Sequence, residues 1–394
     1  MSDPISRRQL LGRAALGGAA LSLSGVLAAC SGSGGAQGEA ETSAATRAGA
    51  STEARKLKNI TISNWPLYID IDEKTKKRPT IEDFEKKYGV KVSYIEDVND
   101  NEAYFAKVQA PLSQGQGIDR DLMVLTDWMA ARMVRLGYVQ RKDMSAIPNE
   151  KNLRPALRHP KWDPNRAHSL PWQSFLAGIA YNPKLVGGDV TTVDQLFTDP
   201  KLKGKVTCLT EMPDTMGLVM LSNGDDPTKV QPAAFDRAID KLQKAVDSGQ
   251  IRQFTGNDYA PLLAKGDIWA AFAWSGDIVQ LQLDNPDLKF VLPRTGGMMF
   301  TDNMLIPLGG DVYTASVFMN FVYDPKIAAQ IEDYVNYVCP VIGARDVLLK
   351  SDPAVAKNPL VFPTPQMLAN AKQFDTTAAD NKRYREKFQS VIGA

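Results

Sequence analysis

The stretch ITISNWPLYID, residues 60–70, alternates in polarity as far as Asn64 and then sets Trp65 and Tyr68 around Pro66. The alternation predicts a strand over Ile60 to Asn64. Rings placed just past the end of a strand must meet either the protein's own core or a ligand. Thr80-Ile81-Glu82-Asp83 has the spacing of a capping box ahead of Phe84 and Tyr88, with Gly89 as the stop of that helix. Val90 to Glu96 predicts a second strand, so the chain opens as strand, helix, strand, the unit from which parallel sheets are built.

The same pattern continues outward. Asn101 to Gln114 reads as a helix, Asp121 to Leu125 as a strand and Trp128 to Leu136 as a helix that stops at Gly137. A proline-rich, irregular passage from Ile147 to Pro164 follows, and a second series begins after it. Strands are expected at Phe175 to Tyr181, Lys205 to Leu209, Ile268 to Ala273 and Leu288 to Leu292, with an amphipathic helix over Phe235 to Ser248 and another over Gly276 to Leu283. Met304 to Pro307 is strand-like and leads to helices over Ala315 to Phe321 and from Pro325 to Tyr337. The expectation is an α/β protein of two lobes with a cleft between them.

The 394 residues, 44% hydrophobic and 23% charged, provide enough chain for two packed cores. A formal net charge of +1 is too balanced for a broad nucleic-acid-binding face. Residues 1–29 read as a signal peptide: Arg7 and Arg8 resemble a twin-arginine export signal, and Leu27-Ala28-Ala29-Cys30 resembles a bacterial lipobox that would make Cys30 the acylated first residue. Its removal takes away three arginines and one aspartate and brings the formal charge to −1. Residues 30–56, rich in Ser, Gly, Ala and Thr, then read as a flexible tether. Cys208 and Cys339 remain in an exported chain, where a disulfide and two buried free thiols are both open.

No G-x-S-x-G elbow, H-E-x-x-H pair or Cys/His cluster is present, and the two histidines, His159 and His168, fall in the irregular connector. The sequence offers instead rings and acids at strand-to-helix junctions: Trp65 and Tyr68, Asp127 and Trp128, Glu211 and Asp214, Trp274 and Asp277, Phe300 and Asp302. Ligand crevices in open α/β sheets lie outside the carboxyl ends of strands. A cleft walled by π faces and carboxylates suits an organic cation, because a buried ammonium needs a paired anion and gains from aromatic faces. For Asp127 and Asp277 helix capping is the simpler role, and for Glu211 and Asp214 an acidic turn around Pro213.

Asn64-Trp65 with Tyr68, DLMVLTDWMAARMVRLG (121–137), AYNPKLV (180–186), DPKLKGKVTCLT (199–210), AAFAWSGD (270–277), GGMMFTDNMLIP (296–307) and FMNFVYDPKIAAQIEDYVNYV (318–338) together resemble the spermidine/putrescine-binding proteins of bacterial ABC importers. The resemblance implies a two-lobed periplasmic-binding-protein (type II) fold with a hinged interlobe cleft, no enzymatic activity and no cofactor. Its partners would be a small polyamine-like cation and the membrane permease subunits, for a monomer held at the membrane by its lipid anchor. It divides the mature chain into a first lobe at 57–172 with a return at 298–345, a second lobe at 173–297, and a C-terminal segment at 346–394 packing on both. Trp65 and Tyr68 fall on first-lobe aromatics of the family, Thr126 and Trp128 on its Ser and Tyr, Trp274 on a second-lobe aromatic, Phe300 on a stacking tryptophan and Asp302 on the amine-binding aspartate. Leu67 stands where relatives commonly have glutamate and Cys339 where they have tyrosine. The family's second-lobe acids fall near Met212 and Thr215, leaving Glu211 and Asp214 to substitute. The rivals are a binding protein for a monoamine or amino-acid-like solute and, from another class, a secreted carboxylate-dependent hydrolase.

Overall fold

The computed structural model describes residues 55–393. The signal peptide, Cys30 and nearly all of the tether lie outside the described residues. Strands β1 (Ile60–Asn64), β2 (Val92–Glu96) and β3 (Leu122–Thr126) alternate with helices Pro79–Tyr88, Asn101–Ser113 and Asp127–Arg135, and β1 runs parallel to both of its neighbours. Every residue of β3 is buried, as expected for a strand covered on both faces. The capping box expected at Thr80 is absent: the helix starts at Pro79, and Asp70 at the end of the NWPLYID turn accepts from the Thr80 N–H at 3.0 Å. A cap from a distant side chain serves the same orphan donor.

The second block holds β4 (Ser169–Tyr181), β5 (Val206–Leu209), β6 (Ile251–Thr255), β7 (Ala270–Trp274) and β8 (Lys289–Val291), and β9 (Gly297–Leu305) returns from it. With β10 (Ala371–Lys372) they form one sheet whose path is β2-β1-β3-β9-β4-β7-β5-β6. Both outer blocks are parallel, while the pairs β3 with β9, β9 with β4 and β4 with β7 are antiparallel. Two long strands therefore carry the chain between the blocks. β4 begins six residues earlier than the sequence suggests, because Pro171 reads as a breaker; the ladder absorbs it at an irregularity between Pro171 and Gln173. β9 likewise starts well before Met304.

A second correction concerns Glu211 to Asp214, which is no turn. Pro213 occupies the first turn of a helix, Met212–Ser222, that is buried throughout except at its last residue. A segment covered on all sides has no amphipathic stripe to announce it. The C-terminal helix Lys382–Ile392 stacks Tyr384 on Phe235 of helix Pro232–Asp247 at 4.2 Å, and Asp380 just before it pairs with buried Arg132 of the first block. Cys208 and Cys339 are buried free thiols.

Candidate functional site

The site forms where the carboxyl ends of β1, β3 and β7 converge on β9. Past β1, the Asn64 side chain accepts from the Trp65 N–H at 2.8 Å and the Trp65 indole donates to the Val124 carbonyl at 3.1 Å, which fixes the first ring. Leu67 follows at φ 56°, a left-handed conformation that costs a branched residue roughly 1–2 kcal/mol and turns the chain so that Tyr68 points inward. Thr126 ends β3 directly opposite Asp302 in the antiparallel register. Asp302 accepts from the Tyr68 hydroxyl and from the Thr126 hydroxyl, each at 2.7 Å, one on each carboxylate oxygen.

The second block supplies the facing wall. Trp274 ends β7, its indole donates to Asp214 at 2.8 Å, and its ring meets Trp65 edge-on at 6.3 Å. Phe175 of β4 stands 6.0 Å from Trp274 and 6.1 Å from Tyr337, and Tyr337 meets Tyr68 at 4.8 Å. These rings, with Thr126, Asn257 and the carboxyl groups of Asp302, Asp214 and Glu211, line a cavity of about 20 Å³. That is room for about one water molecule.

Every acid of this wall is held above the ordinary carboxylate range, first by burial. Asp302 is pushed up to about 6 against the opposing bonds from Tyr68 and Thr126. Asp214 reaches about 8, with the Trp274 bond opposing and the charges of Asp127 and Asp302 adding. Glu211 lies well above its usual value, with Asp100 and Asp214 adding to burial. Among the described residues, no lysine or arginine lines this cavity. Three acids crowded without a cationic side chain favour a cation from outside.

The residues singled out from the sequence divide. Trp65, Tyr68, Thr126, Glu211, Asp214, Trp274 and Asp302 are brought together around the cavity. Asp277 stands behind it, accepting from Tyr259 at 2.6 Å and from Tyr337 at 2.7 Å, so that it orients a wall residue. Phe300 backs Phe175 at 5.6 Å. Trp128 faces a separate pocket with Met212 and Phe388, and Asp127 faces a groove of about 770 Å³ shared with Arg135 and Arg166. Both follow β3 directly, but their side chains leave on the far sides of helix Asp127–Arg135. Phe175, Asn257 and Tyr337 are wall residues that no junction pattern marked; Tyr337 follows the left-handed stop at Asn336, which was the one available cue.

Residues 80–363 match the model of the bacterial extracellular solute-binding protein family, and the chain belongs to that family. It is 30% identical to the putrescine-binding periplasmic protein SpuD of Pseudomonas aeruginosa over 84% of this chain and 90% of that protein. Over the same shares, 84% and 90%, it is 30% identical to the putrescine-binding periplasmic protein PotF of Escherichia coli. A solved putative spermidine/putrescine ABC transporter structure from Listeria monocytogenes superposes with a TM-score of 0.73 at 29% identity, covering 85% of this chain and 97% of that one. The family expected from the sequence is the family found, and the fold is that of periplasmic binding proteins. The chain is a solute-binding protein and not an enzyme.

Proposed function

We propose that the chain captures a polyamine-like dication in this cleft and delivers it to the permease subunits of an ABC importer. The observation that carries the reading is the buried trio Asp302, Asp214 and Glu211 enclosed by aromatic rings with no cationic side chain among the described residues lining the cavity. The relatives' names point to the same class of solute. Leu67 does not line the cavity, and in this reading Glu211 and Asp214 supply the second-block charge. In this reading the lobes are 57–172 with 298–345 and 173–297, β4 and β9 form the hinge, and closure is favoured because the ligand meets both walls only in the closed form. Export by the twin-arginine-like signal, anchoring through Cys30 and a monomeric state belong to the same proposal.

A thermal-shift screen of putrescine, spermidine, butylamine, amino acids and sugars tests it. Diamines are expected to raise the melting temperature most; a response confined to amino acids or sugars would reject the cation reading.

Binding a cation also favours the ionised acids, so protons leave as the ligand enters. A group titrating at about 6 is roughly one-tenth ionised at about pH 5 and almost fully ionised at about pH 8. Diamine affinity is therefore expected to rise at least about tenfold between those values from Asp302 alone, and more with Asp214. Calorimetry in buffers of different ionisation enthalpy checks this, and an affinity highest at the acid end contradicts it.

A further inference from the structure

The two walls are joined by one side chain that no feature of the sequence singled out. Asn101 is the first residue of helix Asn101–Ser113 in the first block and is 1% exposed. Its backbone N–H and its side-chain amide both donate to Glu211 Oε1, at 2.9 and 3.0 Å, across the seam to the second block. The other amide hydrogen goes to Thr126 Oγ1 at 2.8 Å, and the Asn101 carbonyl oxygen accepts from the Thr126 N–H at 3.1 Å. Thr126 in turn donates to Asp302. Asn101 thus has every polar hydrogen and its acceptor engaged, and its bonds tie the carboxylate of one wall to that of the other.

Glu211 is 4% exposed, lines the cavity and has its second oxygen, Oε2, buried without a partner. Two donors on Oε1 orient the carboxylate and leave Oε2 as the free acceptor. The N–H at a helix start adds the favourable end of the helix dipole to the anion. The charged groups facing Glu211 are acids, Asp100 and Asp214. Asp100 accepts from Thr210 at 3.0 Å along the same seam. Without the Asn101 amide only the backbone N–H of residue 101 would remain on Oε1, and the carboxyl, buried beside two acids, would favour its protonated form further.

We propose that Asn101 is the clasp of this cleft, a positioning residue that bonds Glu211 only when the two blocks meet and so couples closure to the readiness of Glu211 Oε2 for the second ammonium of the ligand. The inference rests on the reading of the cleft as a cation site. It makes Asn101, rather than a ring or an acid of the wall, the residue that separates dication binding from loose association.

The experiment compares N101A and N101D with the wild type, titrated with putrescine at about pH 5 and about pH 8. N101A removes both side-chain donors and is expected to weaken binding about 10- to 100-fold. N101D keeps the acceptor for Thr126 and places an acid at a helix start, where the dipole favours it. Yet it sets a carboxylate against Glu211 Oε1, and closure then requires a proton between them. Its deficit relative to the wild type should be large at about pH 8 and shrink toward about pH 5. A role confined to the helix or to packing would leave that ratio constant with pH, and a constant ratio, or N101A binding within about twofold of the wild type, overturns the clasp. Failure of the wild type to bind putrescine would count against the ligand class instead. In that case spin labels at exposed positions 107 and 240, one on each block, decide the matter: N101A should lengthen the distance in the ligand-free chain, and an unchanged distribution rejects the clasp.

Discussion

D302N is expected to weaken diamine binding by about two to three orders of magnitude, or about 3–4 kcal/mol, with the fold intact. Asp302 is 3% exposed and both oxygens already accept from neutral hydroxyls, so its charge is stabilised in place and not cancelled. An ammonium seated against it completes the pairing. The neutral amide offers no charge and turns an amino group toward Tyr68 or Thr126. The sign of the stability effect is opposite. Burial raises Asp302 from the ordinary value to about 6, so its ionisation lowers stability as pH rises through that interval, and the whole cost is present at neutral pH. Removing the charge relieves it. The expected pattern is therefore lost affinity without a lower melting temperature at neutral pH. Retained diamine affinity in D302N would remove this acid from the ligand site.

G276A should damage both stability and binding. Gly276 lies in the first turn of helix Ser275–Gln282, where alanine would ordinarily be preferred by about 1 kcal/mol. Here an added Cβ would come within 1.9 Å of Tyr337 Cδ2 and 2.1 Å of its Cε2. No rotamer shift of the alanine can relieve that, so the Tyr337 ring must move. The ring is held by its hydroxyl on Asp277 and by contacts with Tyr68 and Phe175, so its displacement opens the cavity wall. Overpacking of this kind costs typically 1–3 kcal/mol. A melting temperature lowered by a few degrees and a diamine affinity lowered by about tenfold or more are the expected readings. A variant indistinguishable from the wild type in both would mean that Tyr337 does not hold this position.

The order of strands and helices was legible wherever the pattern was local and one-sided. β1, β3 and β7 came within one or two residues of their bounds, since apolar runs with clear ends mark buried strands. Helix Met212–Ser222 was illegible for the opposite reason: almost every residue is buried, and Pro213 looks the same at a turn and at a helix start. β4 was half legible, because a proline in a long strand is tolerated only through an irregularity that the pairing partner supplies. Among the acids and rings that the junction pattern marked, Trp65 and Tyr68 past β1, Glu211 and Asp214 past β5, Trp274 at the end of β7 and Asp302 within β9 face the cavity, while Asp277 and Phe300 stand behind it. Asp127 and Trp128 share the same topological position and face elsewhere, because the direction of a side chain depends on the first turn of the helix that follows.

What the sequence determined by itself was the alternation of elements, the family resemblance and the kind of chemistry available, rings and carboxylates without a nucleophile or a metal cluster. These follow from residue type and short-range period. What the tertiary structure decided was which of those residues meet. Tyr68 reaches Asp302 across 234 positions and Asn101 reaches Glu211 across 110. A hydrogen bond between such distant positions leaves no periodic trace in either segment, because its geometry is set by sheet register and by the docking of two blocks. The stretch at residues 60–70 therefore announced a strand that ends in rings, and only the fold placed an acid behind the second of them.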